Sequence, residues 1–349
     1  MTDALWVAAL EDQARERLPA PVFEYVVQGA RDGDTAARAV EAWRRYRLQP
    51  HVLRDVTTVD VSVSVLGRRL ALPVGVAPTT LQRAVHPDGE LAVARAAAEA
   101  GGLMVVSSNA GTPFAAIGET GVRWWVQSYL PADRSLAEPL LARAVAAGAD
   151  AVVLTVDTPV VGTKYPTGDG PVIWDVVDPG LLRVNFDAGY DRAPGSEKAL
   201  DLGVHDLEWL RRTTGLPVVV KGVLRPDDAL VAVEAGAAAV WVSNHGGRQL
   251  DRTSSTAAVL PDVVAAVADR VEVYVDGGLR SGLDVVTAFA LGARCTFLGR
   301  PPLYALTDGH AGVARLLGEI SDQVSDALRL AGARSTRELR GLATHEKPL

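Results

Sequence analysis

The chain has 349 residues, 48% of them hydrophobic, a formal net charge of −7 and one cysteine. That length and apolar share can build a large core without a metal or staple, and a lone cysteine excludes an intramolecular disulfide. An acidic balance with no Lys/Arg cluster argues against nucleic acid as the main partner, and apolar runs broken by Gly, Asp or Arg well before about 18 residues argue against a membrane span.

The opening stretch, MTDALWVAALEDQARERLP, places acidic residues inside its apolar run and lacks the layout of a secretory signal. Cys295, in the apolar run ARCTFLG, reads as a buried strand residue, which fits a reduced cytoplasm. Residues 1–70 read as an extension with helices over 4–17 and 34–45 and a β-like stretch, VDVSVSVLGRRL. From about residue 70 one pattern repeats: a short apolar run ends in polar or glycine residues, and an Ala-rich amphipathic stretch follows. The apolar runs span 72–78, 103–108, 123–129, 151–157, 216–222, 239–244, 271–278 and 294–300. They are continuous rather than alternating, as parallel strands buried on both faces must be.

Between them, 89–102, 135–150, 226–237 and 281–293 carry apolar residues at helical spacing and stop at AGG, AGAD, EAGA and LGA. Residues 309–331 read as the last helix and 332–349 as peripheral. Eight such units over 71–331 predict a closed (β/α)8 (TIM) barrel within a single 1–349 domain, with an open α/β sheet as the alternative. The stretch 163–206 breaks the rhythm with TGDGP, VDPG and RAPGSE, and reads as a long loop after strand 4, either a lid or a disordered segment.

In such a barrel the residues just past the strand C-termini form one ring around the active site. Here they are Pro78–Thr80, Ser107–Asn109, Gln127 and Tyr129, Thr155 and Asp157, Lys221, Ser243–Arg248, Asp276–Arg280, and Gly299–Arg300. DGGLRSG and GRP pair glycines with arginines where barrels usually bind phosphate; tight turns alone are the alternative. Lys221, at the end of the apolar run PVVVKG, reads as an ammonium held against a developing anion such as the polar edge of a reduced flavin, or as half of a structural ion pair. In SNHGGRQLD, His245 stands among small residues at a strand end, and Arg248 can clamp a carboxylate with two prongs. Asp157 can orient that imidazole.

These motifs together resemble the FMN-dependent α-hydroxy-acid oxidases and dehydrogenases. The likeness runs from LPAPVFEYVVQGA to LGRPPLYAL and includes APTTLQ followed by HPDGE, LTVDTP, VKGV, SNHGGRQLD and VDGGLRSG in order. It implies His245 as catalytic base with Asp157 as its partner, Tyr129 at the substrate hydroxyl or carbonyl, and Arg248 and Tyr25 on the carboxylate. For FMN it implies Ala77, Pro78, Thr79, Ser107, Gln127, Thr155, Lys221 and Ser243 around the ring system, and Asp276, Gly277, Gly278, Arg280, Gly299 and Arg300 around ribityl and phosphate. No metal is implied.

The expected reaction is oxidation of an L or S 2-hydroxy acid to the 2-keto acid, with oxygen as acceptor, in a cytoplasmic homo-oligomer that by resemblance is a tetramer. Whether the base takes the hydroxyl proton or the Cα proton stays open. Two positions depart from the family pattern. Lys164 stands where a second carboxylate-binding arginine is usual, and Asn109 stands where glycolate-type members carry a large aromatic. Lys164, a point charge without the planar fork, implies looser carboxylate geometry or a different substrate, unless it is an ordinary solvated loop lysine. Asn109 implies a wider or more polar pocket. As substrate-binding positions, the two together put simple glycolate or lactate in doubt and favour a bulkier or aryl 2-hydroxy acid. The alternatives are a dehydrogenase or monooxygenase of the same family, or an FMN barrel with lapsed or non-redox activity.

Overall fold

A computed structural model describes residues 3–165 and 170–345. Its centre is a closed barrel of eight parallel strands: β1 Val74–Val76, β2 Leu103–Ser107, β3 Arg123–Ser128, β4 Val152–Thr155, β5 Val218–Val223, β6 Ala239–Val242, β7 Glu272–Val275 and β8 Cys295–Leu298. Each pairs with its chain neighbour and β8 closes on β1, so the eight apolar runs are the eight staves. Around them lie α1 Gly89–Glu99, α2 Phe114–Gly118, α3 Glu138–Ala146, α4 Val204–Thr214, α5 Pro226–Glu234, α6 Thr256–Val267, α7 Gly282–Ala290 and α8 Gly309–Leu330. α2, α4 and α6 lie outside the helices expected from periodicity: α2 is a single turn and a half, and α6 contains Pro261.

Aromatic rings fill the barrel. Trp125, Trp241, Tyr274 and Phe297 are all buried, and Trp241 stacks on Phe297 with centroids 3.9 Å apart. Gly75 on β1 is what lets Phe297 in, since a Cβ there would meet the ring at 2.5 Å. Truncating one such ring to alanine costs about 3–5 kcal/mol, so this plug is a rigid floor for whatever sits above it.

Ahead of the barrel come four helices rather than the two expected: Asp3–Ala8, Leu10–Arg17, Ala20–Val27 and Asp34–Arg44. Ala20–Val27 looks like coil because Pro19 and Pro21 flank its start, yet proline is tolerated in a helix's first turn. The β-like stretch is a hairpin, Val63–Val65 against Arg68–Leu70, turning through Leu66 and Gly67 at positive φ. It covers the N-terminal end of the barrel, where Arg123 donates to Val65 O and Leu66 N donates to Glu272. The C-terminal stretch is tied in, with Ala343–His345 pairing antiparallel to Tyr46–Leu48.

The long loop after β4 is folded in its described part, with short helical segments at Ile173–Val176, Pro179–Arg183 and Tyr190–Arg192. Residues 166–169, which include the first three residues of TGDGP, lie outside the described residues. Buried Asn185 pins the loop to the barrel, accepting from Phe114 N at 2.9 Å and donating to Thr112 O at 3.0 Å.

Candidate active site

The strand C-termini open into a cavity of about 880 Å³, at the upper end for small-molecule sites and roomy enough for more than one ligand. Tyr25, Ala77, Pro78, Thr79, Ser107, Asn109, Gln127, Tyr129, Lys164, Lys221, His245, Arg248, Asp276, Gly277, Gly278, Arg280, Gly299 and Arg300 all line it. Asp157, Thr155 and Ser243 stand behind that wall: Asp157 backs His245, Ser243 backs Lys221, and strand register sets Thr155 beside Lys221.

His245 takes its position from a strained backbone. It follows β6 with φ at +57°, a conformation that side-chain-bearing residues rarely adopt, and its N–H donates to Ser243 Oγ at 3.1 Å. Nδ1 lies 2.9 Å from Asp157 Oδ1. A carboxylate only accepts, so Nδ1 carries the proton and Nε2 keeps its lone pair, 3.5 Å from the Tyr129 hydroxyl. Thr158 Oγ1 also donates to Asp157 Oδ1 at 3.1 Å. Burial lowers the imidazole pKa below its ordinary value, outweighing the pull of Asp157 in the other direction. Burial alone would raise the Asp157 carboxyl, but His245, Lys221 and Thr158 together hold it below the usual range. The pair therefore presents a neutral imidazole over a charged carboxylate, which is a base in waiting. Desolvation in the cavity wall and the nearby Asp157 charge raise the pKa of half-buried Tyr129, so it stays protonated as a donor.

A bulge in β5 creates the room for Asp157. The register between β5 and β6 shifts between Lys221 and Val223, and Gly222 sits there with φ at +112°. A Cβ on Gly222 would stand 2.7 Å from Asp157 Cγ. The same strand sends Lys221 into the cavity, where its ammonium meets Ser243 Oγ at 2.9 Å and Asp276 Oδ2 at 3.2 Å. Lys221 is thus a buried ion-pair member and a cavity-lining cation at once.

The arginines are braced by the pre-barrel helix. Nη1 of Arg248 donates to Tyr25 O at 2.7 Å and Gln28 O at 3.0 Å, and its guanidinium lies 4.9 Å over the Tyr25 ring. Arg300 donates to Val26 O at 3.0 Å and Gly246 O at 2.9 Å. Two cations on the free carbonyls of one helix C-terminus fix Tyr25, whose hydroxyl pairs with Thr80 Oγ1 at 2.9 Å. Burial, with Arg248 and Arg280 nearby, lowers Arg300 to about 10, and it remains charged near neutrality. The glycines of DGGLRSG serve packing as well as the cavity: Gly278, with φ at +86°, would press a Cβ to 2.2 Å from Ala39 O.

Lys164 lines the cavity and is anchored by two backbone carbonyls. It donates to Gly162 O at 2.7 Å and to Arg248 O at 2.8 Å, while Gly162 N donates to Gln249 Oε1 at 2.8 Å. It ties the loop after β4 to the loop after β6 and so steadies Arg248. Asn109 has its amide oxygen engaged by Arg183 Nη1 at 3.3 Å, and its N–H donates to Ser107 Oγ at 3.1 Å. Arg183, Lys198, Thr158 and Glu24 are site residues that the sequence did not reveal. On the long loop, Arg183 and Lys198 look like any surface charge until the fold brings them to the cavity.

Several buried polar atoms face no partner within the described residues: Gln127 Nε2, Thr155 Oγ1 and Asp276 Oδ1. With Lys221 they form a polar set around one part of the cavity. A Cβ on Gly299 would meet nothing within 4 Å, so that glycine leaves open space beside Arg300.

The family model for FMN-dependent dehydrogenases matches residues 14–345. Glycolate oxidase 3 of Arabidopsis thaliana is 40% identical over 345 residues, covering 95% of this chain and 94% of the plant protein. Human 2-hydroxyacid oxidase 1 is 37% identical, with 97% and 96% covered. Among solved structures, mandelate oxidase with (S)-4-hydroxymandelic acid superposes with a TM-score of 0.90 at 37% identity, covering 98% of this chain and 99% of that one. A mandelate oxidase point mutant with a C4a-OH-FMN adduct superposes with a TM-score of 0.84 at 37% identity, covering 97% and 99%.

Proposed function

The chain belongs to the FMN-dependent dehydrogenase family and oxidises 2-hydroxy acids with FMN, and from that premise we propose that its substrate is an aryl or otherwise bulky (S)-2-hydroxy acid and its electron acceptor is oxygen. The donor set fits the cofactor. Unpartnered Gln127 Nε2 and Thr155 Oγ1, with Lys221 and Ser107, would hold a flat polar heterocycle, and Arg280, Arg300 and the open space at Gly299 would take its phosphate. Bound there, FMN supplies a two-electron acceptor for the substrate α-carbon.

The chain's own residues do the rest. Arg248 keeps its Nη2 and Nε free of the helix carbonyls and directs them at the substrate carboxylate. His245 Nε2 takes the proton as the electrons leave, and Asp157 stabilises the imidazolium that results. Tyr129 donates to the oxygen that becomes the keto group. Lys221 balances negative charge that builds on the polar side of the cavity. A 2-keto acid leaves.

The observation that carries the mechanism is the Asp157–His245 pair opening on the cavity. The observation behind the bulky substrate is the outer wall, where Trp174 meets Tyr25 edge to face at 6.2 Å beside Val172 and Leu182. The similarity to mandelate oxidase structures supports an aryl group there. We further propose a cytoplasmic homo-oligomer, supported by the single buried thiol and by exposed Val52 and Leu53, and testable by light scattering.

The enzymatic test is anaerobic mixing of the yellow protein with glycolate and with both enantiomers of lactate, mandelate and 4-hydroxymandelate. Fastest bleaching by an (S)-aryl acid, with hydrogen peroxide on admitting oxygen, is the expected result. Fastest bleaching by glycolate would overturn the substrate assignment, and bleached enzyme that stays reduced in oxygen would overturn the acceptor.

A further inference from the structure

Lys198 lines the cavity and has no place in the chemistry above. Its backbone is fixed by a short antiparallel ladder to the segment that follows Tyr129. Ala132 N donates to Glu197 O at 2.7 Å, Ala199 N donates to Leu130 O at 3.0 Å, and Pro131 faces Lys198 between them. The side chain lies over the Tyr129 ring, with Nζ 4.0 Å from the centroid. Among the described residues no carboxylate stands within ion-pairing distance of it. Burial holds its pKa down at about 8, although Asp157 pulls the other way.

A half-buried ammonium with only a ring face for company is incompletely compensated. Its surroundings add to the imbalance. Lys164 and Arg248 share this side of the cavity. Among the described residues the wall's acidic side chains are Glu24 and Asp276, and Asp276 is paired with Lys221. One substrate carboxylate on Arg248 leaves Lys198 unanswered. The two cations rest on different rings, Arg248 on Tyr25 and Lys198 on Tyr129, so they mark two points in the cavity rather than two prongs of one clamp. The Tyr129 hydroxyl lies 3.5 Å from His245 Nε2, so Lys198 and the imidazole flank the same tyrosine.

We propose that Lys198 is a specificity-determining residue that binds a second, distal carboxylate, making the preferred substrate a 2-hydroxy acid with an acidic group at its far end. The apolar wall beside Tyr25 and Trp174 accommodates the chain or ring that joins the two acids. This rests on the assignment of the protein as a 2-hydroxy-acid oxidising enzyme.

The test compares each diacid with its neutral amide: 2-hydroxyglutarate with 2-hydroxyglutaramate, and 4-carboxymandelate with 4-carbamoylmandelate. The FMN-loaded wild type should favour the better diacid over its amide in kcat/KM by roughly tenfold to a hundredfold, the span of a hydrogen bond to a charged group. Lys198→Met should lower that ratio at least tenfold and Lys198→Arg should largely keep it. Dissociation constants of the matching 2-oxo acids, read from the visible spectrum without turnover, should change in parallel. Lys198→Gln, with FMN content and circular dichroism as controls, guards against a folding defect of the Met variant. Equal losses on acid and amide would overturn the proposal, as would a wild type that prefers the amides. Bleaching by an amide alone would still uphold the parent activity, whereas no bleaching by any hydroxy acid would remove both.

Discussion

His245, Lys221 and Asp276 sit on or within three residues of the strands that carry them, whereas Lys164, Trp174, Arg183 and Lys198 ride a segment running from Val156 to Gly203. The first group is locked from below by the aromatic barrel floor and by glycines that admit no side chain. The second is held by short helices and by side-chain pairs at the surface, such as Arg183 with Asp191 and Arg143 with Asp187. It also leaves Val160, Val161, Trp174 and Val176 exposed. Groups that move protons must be placed within a fraction of an ångström, and strand ends do that. Groups that choose among substrates tolerate a looser mount. The difference implies that chemistry and selectivity can be changed separately.

The largest effect should come from the locked region. His245→Gln is expected to lower kcat by about 10²–10⁴-fold, the span of general base catalysis, with the visible flavin spectrum retained. Gly222→Ala should follow, because it forces a Cβ against Asp157 at a φ of +112°. A thermal melt should show a loss of at least about 1–3 kcal/mol, together with a fall in kcat from the displaced carboxylate. Arg248→Met should cut kcat/KM by roughly ten- to a hundredfold through loss of the charged hydrogen bonds to substrate. Because Arg248 also braces helix Ala20–Val27, this variant should additionally melt earlier.

Smaller effects belong to the long segment. Trp174→Ala should change the ratio of mandelate to lactate turnover by about 1–3 kcal/mol, or roughly ten- to two-hundredfold, and a uniform loss on both would erase the distinction between regions. The pH profile separates the two as well. On the proposed mechanism the neutral imidazole is the base, so kcat/KM should rise with pH through a midpoint below the ordinary histidine value and stay level to about pH 8. Burial brings Lys164 and Lys198 to about 8, helped at Lys164 by Arg248 and Lys198. Their ammonium forms attract the anionic substrate, so KM should climb above that pH. Replacing both lysines by methionine should flatten the alkaline limb and leave the acid limb in place.

How much of this was legible in the sequence follows the same divide. A parallel strand buried on both faces must be an unbroken apolar run, so each stave and the polar group at its end could be read directly. His245, Asp157, Lys221 and Arg248 stood out because a charge at the end of such a run needs a reason. The helix carrying Tyr25 was hidden by Pro19 and Pro21, and α2 was too short to show a period. Lys198 was invisible for a different reason. Nothing in GSEKAL distinguishes a lysine facing solvent from one folded over Tyr129, since only the ladder to Leu130 and Ala132 decides it. Lys164 stands out in the sequence by its position, but its bonds to Gly162 and Arg248 depend on two loops meeting in space.

The most direct test is rapid anaerobic mixing of wild type, His245→Gln and Trp174→Ala with one panel of 2-hydroxy acids, following loss of the flavin absorbance. His245→Gln should slow every substrate by a similar large factor, while Trp174→Ala should reorder the panel. A His245→Gln enzyme that bleaches at the wild-type rate, or a Trp174→Ala enzyme slowed equally on all substrates, would contradict this.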